Sequence, residues 1–441
     1  MFNKILKNNK QELLWIFTAA LAFRLIWFVS VFFLNPEGVY FFDSNGYIEL
    51  AQNILSQGEF GRFSEGYFYK EHFRTPGYPL LISLFLFVFQ KIEPLVFFQV
   101  LISAAAPVLL FLISMQLGLS KKAAVIAAAL LVIDFPSILF ANTVLTDTFF
   151  IFVLLFSVWL LLLSNENDNL LLIAFSAMAI GFAVLIRPIG IFLPLLLILF
   201  IRFKFKLKTL LKISLFFSLT FILIFSWIYR NNSIFEFKFL STVSNVNLLH
   251  FRAAEVYSQK NNITVQEARV VLEKQLVEEL EEFKIADYNE NIKIGFEISD
   301  NIAKKIIMEN PLLFLKLSAK HVMYLLIKPA RSYIDYQLGY KIKPFQTGIK
   351  TFADQSSIPA ILLTVFQALI LIFTWIGFIS GIYYLIKEKN YKVLLPLVLI
   401  ILYFIVASAG PEADARFRIP FMPFVFIVAA SLIDTAKLKL E

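Results

Sequence analysis

The chain of 441 residues contains no cysteine, which excludes disulfide bonds and thiolate metal ligands. It contains only three histidines, His72, His250 and His321, and no two of them have the i, i+4 spacing that puts two ligands on one helix face. A zinc site of that kind is therefore not expected. Charged residues are also scarce, at 16% of the chain, against roughly 25% in ordinary soluble domains.

Hydrophobic side chains are abundant instead, at 59% of the chain, and 51 of them are phenylalanines. A transmembrane helix needs roughly 20 mostly apolar residues, and such runs recur through residues 1–230 and again after residue 359. They predict a polytopic membrane protein. The first run is too long for a signal-peptide core and has no small-residue cleavage site, so we expect it to remain as a membrane anchor.

The formal net charge of +8 could indicate a nucleic-acid partner. The basic residues lie, however, in short clusters between apolar runs, where the positive-inside rule places them in a membrane protein. We therefore use them to predict topology and expect no nucleic-acid partner. Because Lys4, Lys7 and Lys10 precede the first run, the N-terminus is predicted to be cytoplasmic.

About ten crossings are predicted, and the basic clusters at 121–122, 204–208, 387–389 and 437–439 then lie on the cytoplasmic side. The predicted spans are 13–34, 95–117, 123–142, 148–164, 169–186, 189–201, 210–229, 359–386, 392–408 and 417–436. Segment 78–90 is short for a span, so we expect a juxtamembrane or re-entrant helix there. Segment 311–328 mixes basic and apolar residues, as an interfacial amphipathic helix does, and is expected to stay outside.

The order of apolar and polar segments divides the chain into three parts. Residues 1–229 form an N-terminal transmembrane module whose first outer loop, 35–94, is expected to be catalytic. Residues 230–358 form an extracytoplasmic soluble and juxtamembrane region, expected to be mostly helical, in which Thr264 and Glu267 have the spacing of a capping box. Residues 359–441 supply the C-terminal transmembrane helices.

Four polar segments lie on the outer side in this topology. They are FFDSNGY (41–47), FRTPGYP (73–79), LTD (145–147) and PEADARFR (411–418). A carboxylate near a membrane surface can act as a general base, and nearby cations can hold a phosphate group. The combination indicates chemistry on a phosphorylated lipid.

The acidic residues have a purely structural alternative. Asp43 or Ser44 could cap the N-terminus of the amphipathic helix that follows, and Asp147 could cap the helix starting at Thr148. Capping is the commonest use of these residue types before a helix. A cap and a catalytic role are compatible.

The basic residues have structural alternatives as well. Arg416 and Arg418 could reach toward lipid headgroups at the end of a span, and Arg187 with Pro188 could simply separate two helices. Arg24 lies in the middle of the first span, where charge costs about 3 kcal/mol on insertion scales. We therefore expect Arg24 to face the helix bundle in a structural ion pair.

The order of the segments along the chain resembles that of the GT-C glycosyltransferases, most closely glycosyltransferase family 39 and the aminoarabinose transferases. The resemblance rests on DSNGYIELAQNIL, FRTPGYPLL, VLTDTFFIF, IRPIG, ENPLLFLKL and ARFRIPFMPF, which span nearly the whole chain. Each motif alone is weakly specific. The resemblance implies an all-α polytopic fold, a GT-C-like bundle of about ten transmembrane helices with juxtamembrane helices.

The family's functional residues can be carried over to matching positions. Asp43 matches the acidic residue of the first outer loop, which serves as acceptor-activating base or, in some branches, as a metal ligand, and Asp147 matches the second acidic residue. Arg74 matches a basic residue that would bind the donor phosphate. Arg416 and Arg418 match the basic pair before the last span and are assigned to the same phosphate.

Four further candidates lie near these positions. Lys70 and His72 are expected to assist donor-phosphate binding, and Tyr47 and Arg187 to contact substrate. Many relatives have a second acid directly after the first, but here Ser44 stands in that place. This departure weakens a metal role, so no metal ligand and no certain cofactor is predicted, and Mg or Mn stays an open alternative.

The resemblance implies an inverting transferase that moves a sugar from a polyprenyl-phosphate donor to a hydroxyl on a glycan, lipid or protein acceptor. Its place would be the outer face of a bacterial cytoplasmic membrane, in contact with membrane lipids. The alternatives are a transporter or flippase for lipid-linked saccharides, and an assembly protein without chemistry. A transporter should have ionisable residues near the bilayer midplane, whereas here most are predicted at one surface.

Overall fold

A computed structural model describes residues 2–64, 66–202, 207–283, 288–340 and 358–434. The basic cluster predicted at 437–439 and most of the one at 204–208 lie outside the described residues. Within these ranges the secondary structure is almost entirely helical, which confirms the predicted all-α class.

The N-terminal half contains eleven helices and one β-hairpin within the described residues. The helices are α1 Phe2–Asn8, α2 Lys10–Leu34, α3 Ser44–Gln57, α4 Gly77–Phe89, α5 Glu93–Gln116, α6 Lys121–Val132, α7 Phe135–Ala141, α8 Asp147–Asn167, α9 Leu170–Ile186, α10 Leu193–Leu197 and α11 Leu207–Phe235. Short 3-10 turns lie at Pro36–Val39, Pro188–Gly190 and Ile198–Phe200. The hairpin pairs β1 Gly61–Ser64 with β2 Tyr67–Lys70.

The C-terminal half adds nine helices within the described residues. They are α12 Val243–Asn247, α13 Ala254–Asn261, α14 Val265–Glu281, α15 Tyr288–Glu309, α16 Pro311–Ile327, α17 Arg331–Gln337, α18 Ile358–Lys387, α19 Tyr391–Ala407 and α20 Met422–Ser431. A π-helical stretch, Leu248–Ala253, joins α12 to α13, and a 3-10 turn, Ala415–Arg418, precedes α20. The capping box predicted at Thr264 and Glu267 is present and starts α14.

Five of the described helices, α2, α5, α8, α11 and α18, are long and apolar enough to cross a membrane, and α6 with α7 makes a sixth if that bent pair is one span. The helices at the other four predicted spans are shorter, as is α4 at the predicted juxtamembrane segment. The chain is thus a multi-pass membrane protein, and ten crossings stays a prediction.

The helices divide into an inner and an outer set. The most apolar windows of α5 and α8 are 67% and 78% buried, whereas those of α11 and α18 are only 22% buried. A helix that exposes most of an apolar surface is suited to contact lipid. We therefore place α5 and α8 at the centre of the bundle and α11 and α18 at its periphery.

The hairpin was not predicted. Its strands flank Gly66, which has φ +86°, a backbone conformation that glycine adopts readily. Aromatic residues lie on both sides of Gly66, with Phe63 paired to Phe68 and Ser64 to Tyr67. Aromatic residues are enriched in strands.

Arg24 is fully buried in α2, as predicted, but the expected ion pair is replaced by hydrogen bonds. Its guanidinium donates to the Ser103 hydroxyl at 2.7 Å and to the carbonyl oxygens of Leu131 and Val132 at 3.3 Å. Those carbonyls belong to the last turn of α6, just before the 53° bend into α7. The carbonyls at a helix end lack partners within the helix, so Arg24 satisfies them.

Helices α18 and α20 approach closely at two glycines. A β-carbon at Gly377 would lie 3.2 Å from that of Ala429, and one at Gly381 would lie 1.9 Å from the carbonyl oxygen of Val428. The spacing Gly-x-x-x-Gly puts both glycines on one helix face, where small residues let helix backbones pack together in membranes.

We expect Gly381→Ala to lower the free energy of unfolding by about 1–3 kcal/mol, since overpacking costs that much and the added methyl group meets backbone. Thermal unfolding of the detergent-solubilised protein measures it. Gly295→Ala is the matched control, because a β-carbon at this helical glycine would meet nothing within 4 Å. Equal stability of the two variants would contradict the close approach of α18 to α20.

Candidate functional site

Asp43 lies at the start of α3, but its side chain does not cap that helix. The backbone N–H of Phe41 donates to the Ser44 hydroxyl at 2.8 Å, and that hydroxyl donates to the carbonyl of Val144 at 3.0 Å. Ser44 therefore fixes the first loop to the loop that precedes α8. The Asp43 carboxylate, with its side chain 36% exposed, is left to contact arginines.

Two arginines from distant parts of the chain bind the Asp43 carboxylate. Arg74 donates from Nη2 to Oδ1 at 3.0 Å, and Arg416 donates from Nη1 to Oδ2 at 3.1 Å. The Arg74 guanidinium also lies 4.0 Å from the centre of the Tyr47 ring, one turn along α3, in a cation–π contact. Asp43, Tyr47 and Arg74 are thus brought together by α3 and the segment before α4.

Arg416 joins Asp43 to a second carboxylate. Its Nε donates to Oδ2 of Asp147 at 3.0 Å, and Arg187 donates to the other oxygen of Asp147. Asp147 is fully buried and is the first residue of α8. The result is a continuous chain of side chains, Arg74–Asp43–Arg416–Asp147–Arg187, which we call the arginine–aspartate network.

The network perturbs the ionisation of its members. Burial opposes the charged form of Asp43, but Arg416 and Arg74 outweigh burial and hold the pKa of Asp43 below its ordinary value. For Arg416 the burial effect is likewise outweighed, here by Asp147 and Asp43, so the pKa of Arg416 is raised. Both groups are therefore charged at neutral pH.

Buried hydrogen bonds position the loops that carry the network. The hydroxyl of Tyr78 donates to Gln99, whose amide nitrogen donates to the carbonyl of Thr143 at 2.5 Å, which holds the loop before Asp147. On the other side, Asp414 accepts from the backbone N–H of Arg416 at 2.8 Å and from the hydroxyl of Tyr333. These side chains are rigid supports that set where the charged groups lie.

Three predicted donor-site residues lie apart from the network. Arg418 is buried and donates to the carbonyls of Leu325 and Lys328, at 2.8 and 2.7 Å, at the end of α16. Lys70 pairs with Glu59 on an exposed part of the hairpin. Nδ1 of His72 lies 2.9 Å from the Thr242 hydroxyl, so His72 joins its segment to the chain after α11.

Two charged residues near the network were missed by the sequence analysis. Glu71 is buried, and its Oε1 accepts the backbone N–H groups of Phe73 and Arg74 at 2.8 and 2.7 Å. Its Oε2 lies 2.5 Å from Nε of Arg62 on β1. The aromatic residues on both sides of Gly66 could have indicated the hairpin that places Arg62 here.

The network does not fit a divalent metal ion. Both oxygens of Asp43 and both of Asp147 accept hydrogen bonds from guanidinium groups, and such cations would repel a metal ion. Within the described ranges, no group of three or more His, Cys, Asp or Glu side chains is arranged to hold a metal.

Residues 74–229, about a third of the chain, match the sequence profile of the dolichyl-phosphate-mannose-protein mannosyltransferase family. No curated protein sequence matches significantly. The matched segment begins at Arg74 and includes Asp147 and Arg187.

Two solved structures share the fold. The oligosaccharyltransferase AglB from Archaeoglobus fulgidus, in complex with an inhibitory peptide and a dolichol-phosphate, has a TM-score of 0.54 at 15% identity over 97% of this chain. The same organism's oligosaccharyltransferase tethered to an acceptor peptide has a TM-score of 0.54 at 14% identity and 97% coverage. This chain spans about half the length of those proteins, 51% and 50%.

A third structure, ArnT from Cupriavidus metallidurans bound to undecaprenyl phosphate, is similar at 14% identity over 96% of this chain and 77% of its own, with a TM-score of 0.39. AglB is a GT-C glycosyltransferase. The resemblance to the GT-C glycosyltransferases found in the sequence is confirmed.

Proposed function

We propose that this protein is an inverting membrane glycosyltransferase that moves a sugar from a polyprenyl-phosphate donor to a hydroxyl acceptor. The observation that carries the proposal is the arginine–aspartate network, in which five side chains from separate segments contact one another in sequence and one of them is the partly exposed carboxylate of Asp43. The GT-C fold and the family match over 74–229 support it. We propose further that the site faces outward from a bacterial cytoplasmic membrane, as the basic loops indicate.

In this proposal Arg74 and Arg416 hold the donor phosphate. A guanidinium binds phosphate oxygens with paired, charge-assisted hydrogen bonds. A lipid-linked phosphate lies at headgroup depth, beside helix ends and loops, because its tail stays in the bilayer. Arg187 and Asp147 keep Arg416 in place, so they act as positioning residues.

Asp43 is proposed to remove the acceptor proton. The acceptor oxygen then forms a bond to the anomeric carbon while the bond from that carbon to the phosphate oxygen breaks. The proton goes to the Asp43 carboxylate, and the polyprenyl phosphate leaves with the negative charge that Arg74 and Arg416 stabilise. Such preorganised charges are often the largest catalytic contribution, and a single direct displacement inverts the sugar's configuration.

Donor binding is expected to strengthen Asp43 as a base. In the free site, Arg74 and Arg416 keep its pKa low, which makes it a weak proton acceptor. A phosphate that takes hydrogen bonds from the same two arginines reduces their stabilisation of the carboxylate, so the pKa of Asp43 rises in the donor complex. The base is thus active mainly when the donor is present.

Donor cleavage by the wild-type protein tests the proposal. Purified protein in liposomes is incubated with radiolabelled polyprenyl-phosphate sugars, and both lipid-bound and water-soluble sugar are measured. We expect at least one donor to lose its sugar, by transfer or by slow hydrolysis, and to leave polyprenyl phosphate. Movement of intact donor between leaflets without cleavage, for every donor in the panel, would contradict a transferase and support a flippase.

A further inference from the structure

We infer that Arg62, on the first strand of the hairpin, is a second ligand of the donor phosphate beside Arg74. The inference rests on the proposed function and adds a residue and a subsite to it. It is carried by the convergence of the two guanidinium groups on Gly46, in the first turn of α3.

Gly46 shows how close the two arginines are. A β-carbon built on Gly46 would lie 3.2 Å from both Nη1 and Nη2 of Arg62 and 3.3 Å from Nε of Arg74. Both guanidinium groups therefore lie against the space that any larger residue would fill. That space is one turn of helix from the Asp43 carboxylate.

Each of these two arginines has a hydrogen-bond donor without a partner in the described part of the chain. Nη2 of Arg62 and Nε of Arg74 are buried and have no hydrogen-bond partner among the described residues. A buried donor without a partner is unfavourable, and more so when it is charged. About a third of the Arg62 side chain, 31%, is exposed, so an anion can approach it from the solvent side.

The local charge balance also favours an anion. Around the network and its neighbour Glu71, four guanidinium groups face three carboxylates. Glu71 is the carboxylate that holds Arg62 in place, but it also accepts two backbone N–H groups and is fully occupied. These ion-paired groups together therefore carry one excess positive charge.

A phosphate group fits these requirements best. Its tetrahedral oxygens can accept from two guanidinium groups at once, and arginine is the residue most often used for paired recognition of phosphate. The first turn of α3 adds backbone N–H groups and a positive helix end, which also favour an anion. The same phosphate can then contact Arg62, Arg74 and, through Arg74, the Asp43 end of the network.

Direct binding of undecaprenyl phosphate to the full-length protein in nanodiscs tests the inference, with undecaprenol as the probe that lacks the phosphate. We expect Arg62→Gln to weaken undecaprenyl phosphate binding about tenfold, the effect of losing one hydrogen bond between charged groups. Undecaprenol binding should not change. Lys274→Gln, which removes an exposed cation from α14, should bind both lipids as the wild type does.

Gly46→Ala is the second variant. Alanine is the better helix former, so α3 should stay intact while the methyl group displaces the two guanidinium groups, and phosphate binding should weaken by a similar factor. If both Arg62→Gln and Gly46→Ala bind undecaprenyl phosphate normally while Arg74→Gln does not, Arg62 is only a structural partner of Glu71 and the inference fails. If the wild type binds undecaprenyl phosphate no better than undecaprenol, the proposed polyprenyl-phosphate donor, and with it the proposed function, is contradicted.

Discussion

Asp43→Asn should reduce sugar transfer by about a hundredfold to ten-thousandfold, the range for loss of a positioned general base. Asparagine keeps the shape of aspartate but cannot accept the acceptor's proton, and it no longer neutralises Arg74 and Arg416. Donor binding should be retained or improved, because the phosphate no longer competes with a carboxylate for the two arginines. The measurement is the initial rate of transfer at matched amounts of protein in the membrane.

Asp300→Asn is the control for that substitution. Asp300 lies on α15 in the region after α11, where it pairs with Lys304 one turn away, and surface pairs of this kind contribute little. We expect wild-type transfer from it. A loss of activity as large as that of Asp43→Asn would mean that the assay responds to any lost carboxylate.

The dependence of the rate on pH gives Asp43 a further signature. The carboxylate must be ionised to act, so activity is lost as pH falls through its pKa. In the free protein that pKa is lowered, whereas bound phosphate should raise it. The acid limb of kcat, which reports the donor complex, should therefore lie at higher pH than that of kcat/KM, which reports the free protein. Coincident limbs would argue against arginines shared between Asp43 and the phosphate.

Arg416→Gln should have the second largest effect, because among the described side chains Arg416 is the one that connects Asp43 to Asp147. Loss of one preorganised charge donor lowers rates by about a hundredfold to a thousandfold. Asp147 is fully buried, and removal of one partner from a buried ion pair costs about 3–5 kcal/mol. We therefore expect lower activity and lower stability together, measured as single-turnover transfer and thermal unfolding.

A double-mutant cycle separates the two consequences. If Asp147 acts only by positioning Arg416, then Asp147→Asn with Arg416→Gln should be little worse than Arg416→Gln alone, since residues in one network are not additive. Arg416→Lys keeps the charge but cannot bridge two carboxylates with a planar fork, so it should recover only part of the activity. Strictly additive losses would contradict the positioning role of Asp147.

The sequence predicts the members of the network better than their contacts. Asp43, Arg74, Asp147 and Arg416 were candidates because each lies in one of the four polar segments predicted on the outer side, and Arg187 was expected to contact substrate. Which carboxylate meets which guanidinium depends on the packing of α3, α8 and the 3-10 turn before α20. Their functional roles stay predictions until the variants are measured.

Arg418 makes contacts that the sequence did not indicate. It lies two residues after Arg416 in a 3-10 turn, and three residues complete one turn of that helix. Side chains two residues apart therefore point in different directions: Arg416 toward the carboxylates, and Arg418 toward the carbonyls that end α16. Arg416 and Arg418 are therefore close in sequence, but their side chains bind different groups.

Arg62 and Arg24 depend on features that periodicity does not reveal. Arg62 was not among the candidates because the hairpin was not predicted. Arg24 was correctly predicted to face the bundle, but its partners are the carbonyls at the break between α6 and α7. Both outcomes follow from local backbone structure, a β-hairpin in one case and a helix end in the other.

The role of the arginine–aspartate network in sugar transfer is tested most directly by single-turnover sugar release from a radiolabelled polyprenyl-phosphate donor. Wild type, Asp43→Asn, Arg416→Gln and Asp300→Asn are compared in the same liposomes. We expect release by wild type and Asp300→Asn, and almost none by Asp43→Asn and Arg416→Gln. Asp43→Asn should still bind polyprenyl phosphate. Release by Asp43→Asn at the wild-type rate would contradict this role, because the network would then have no part in the chemistry.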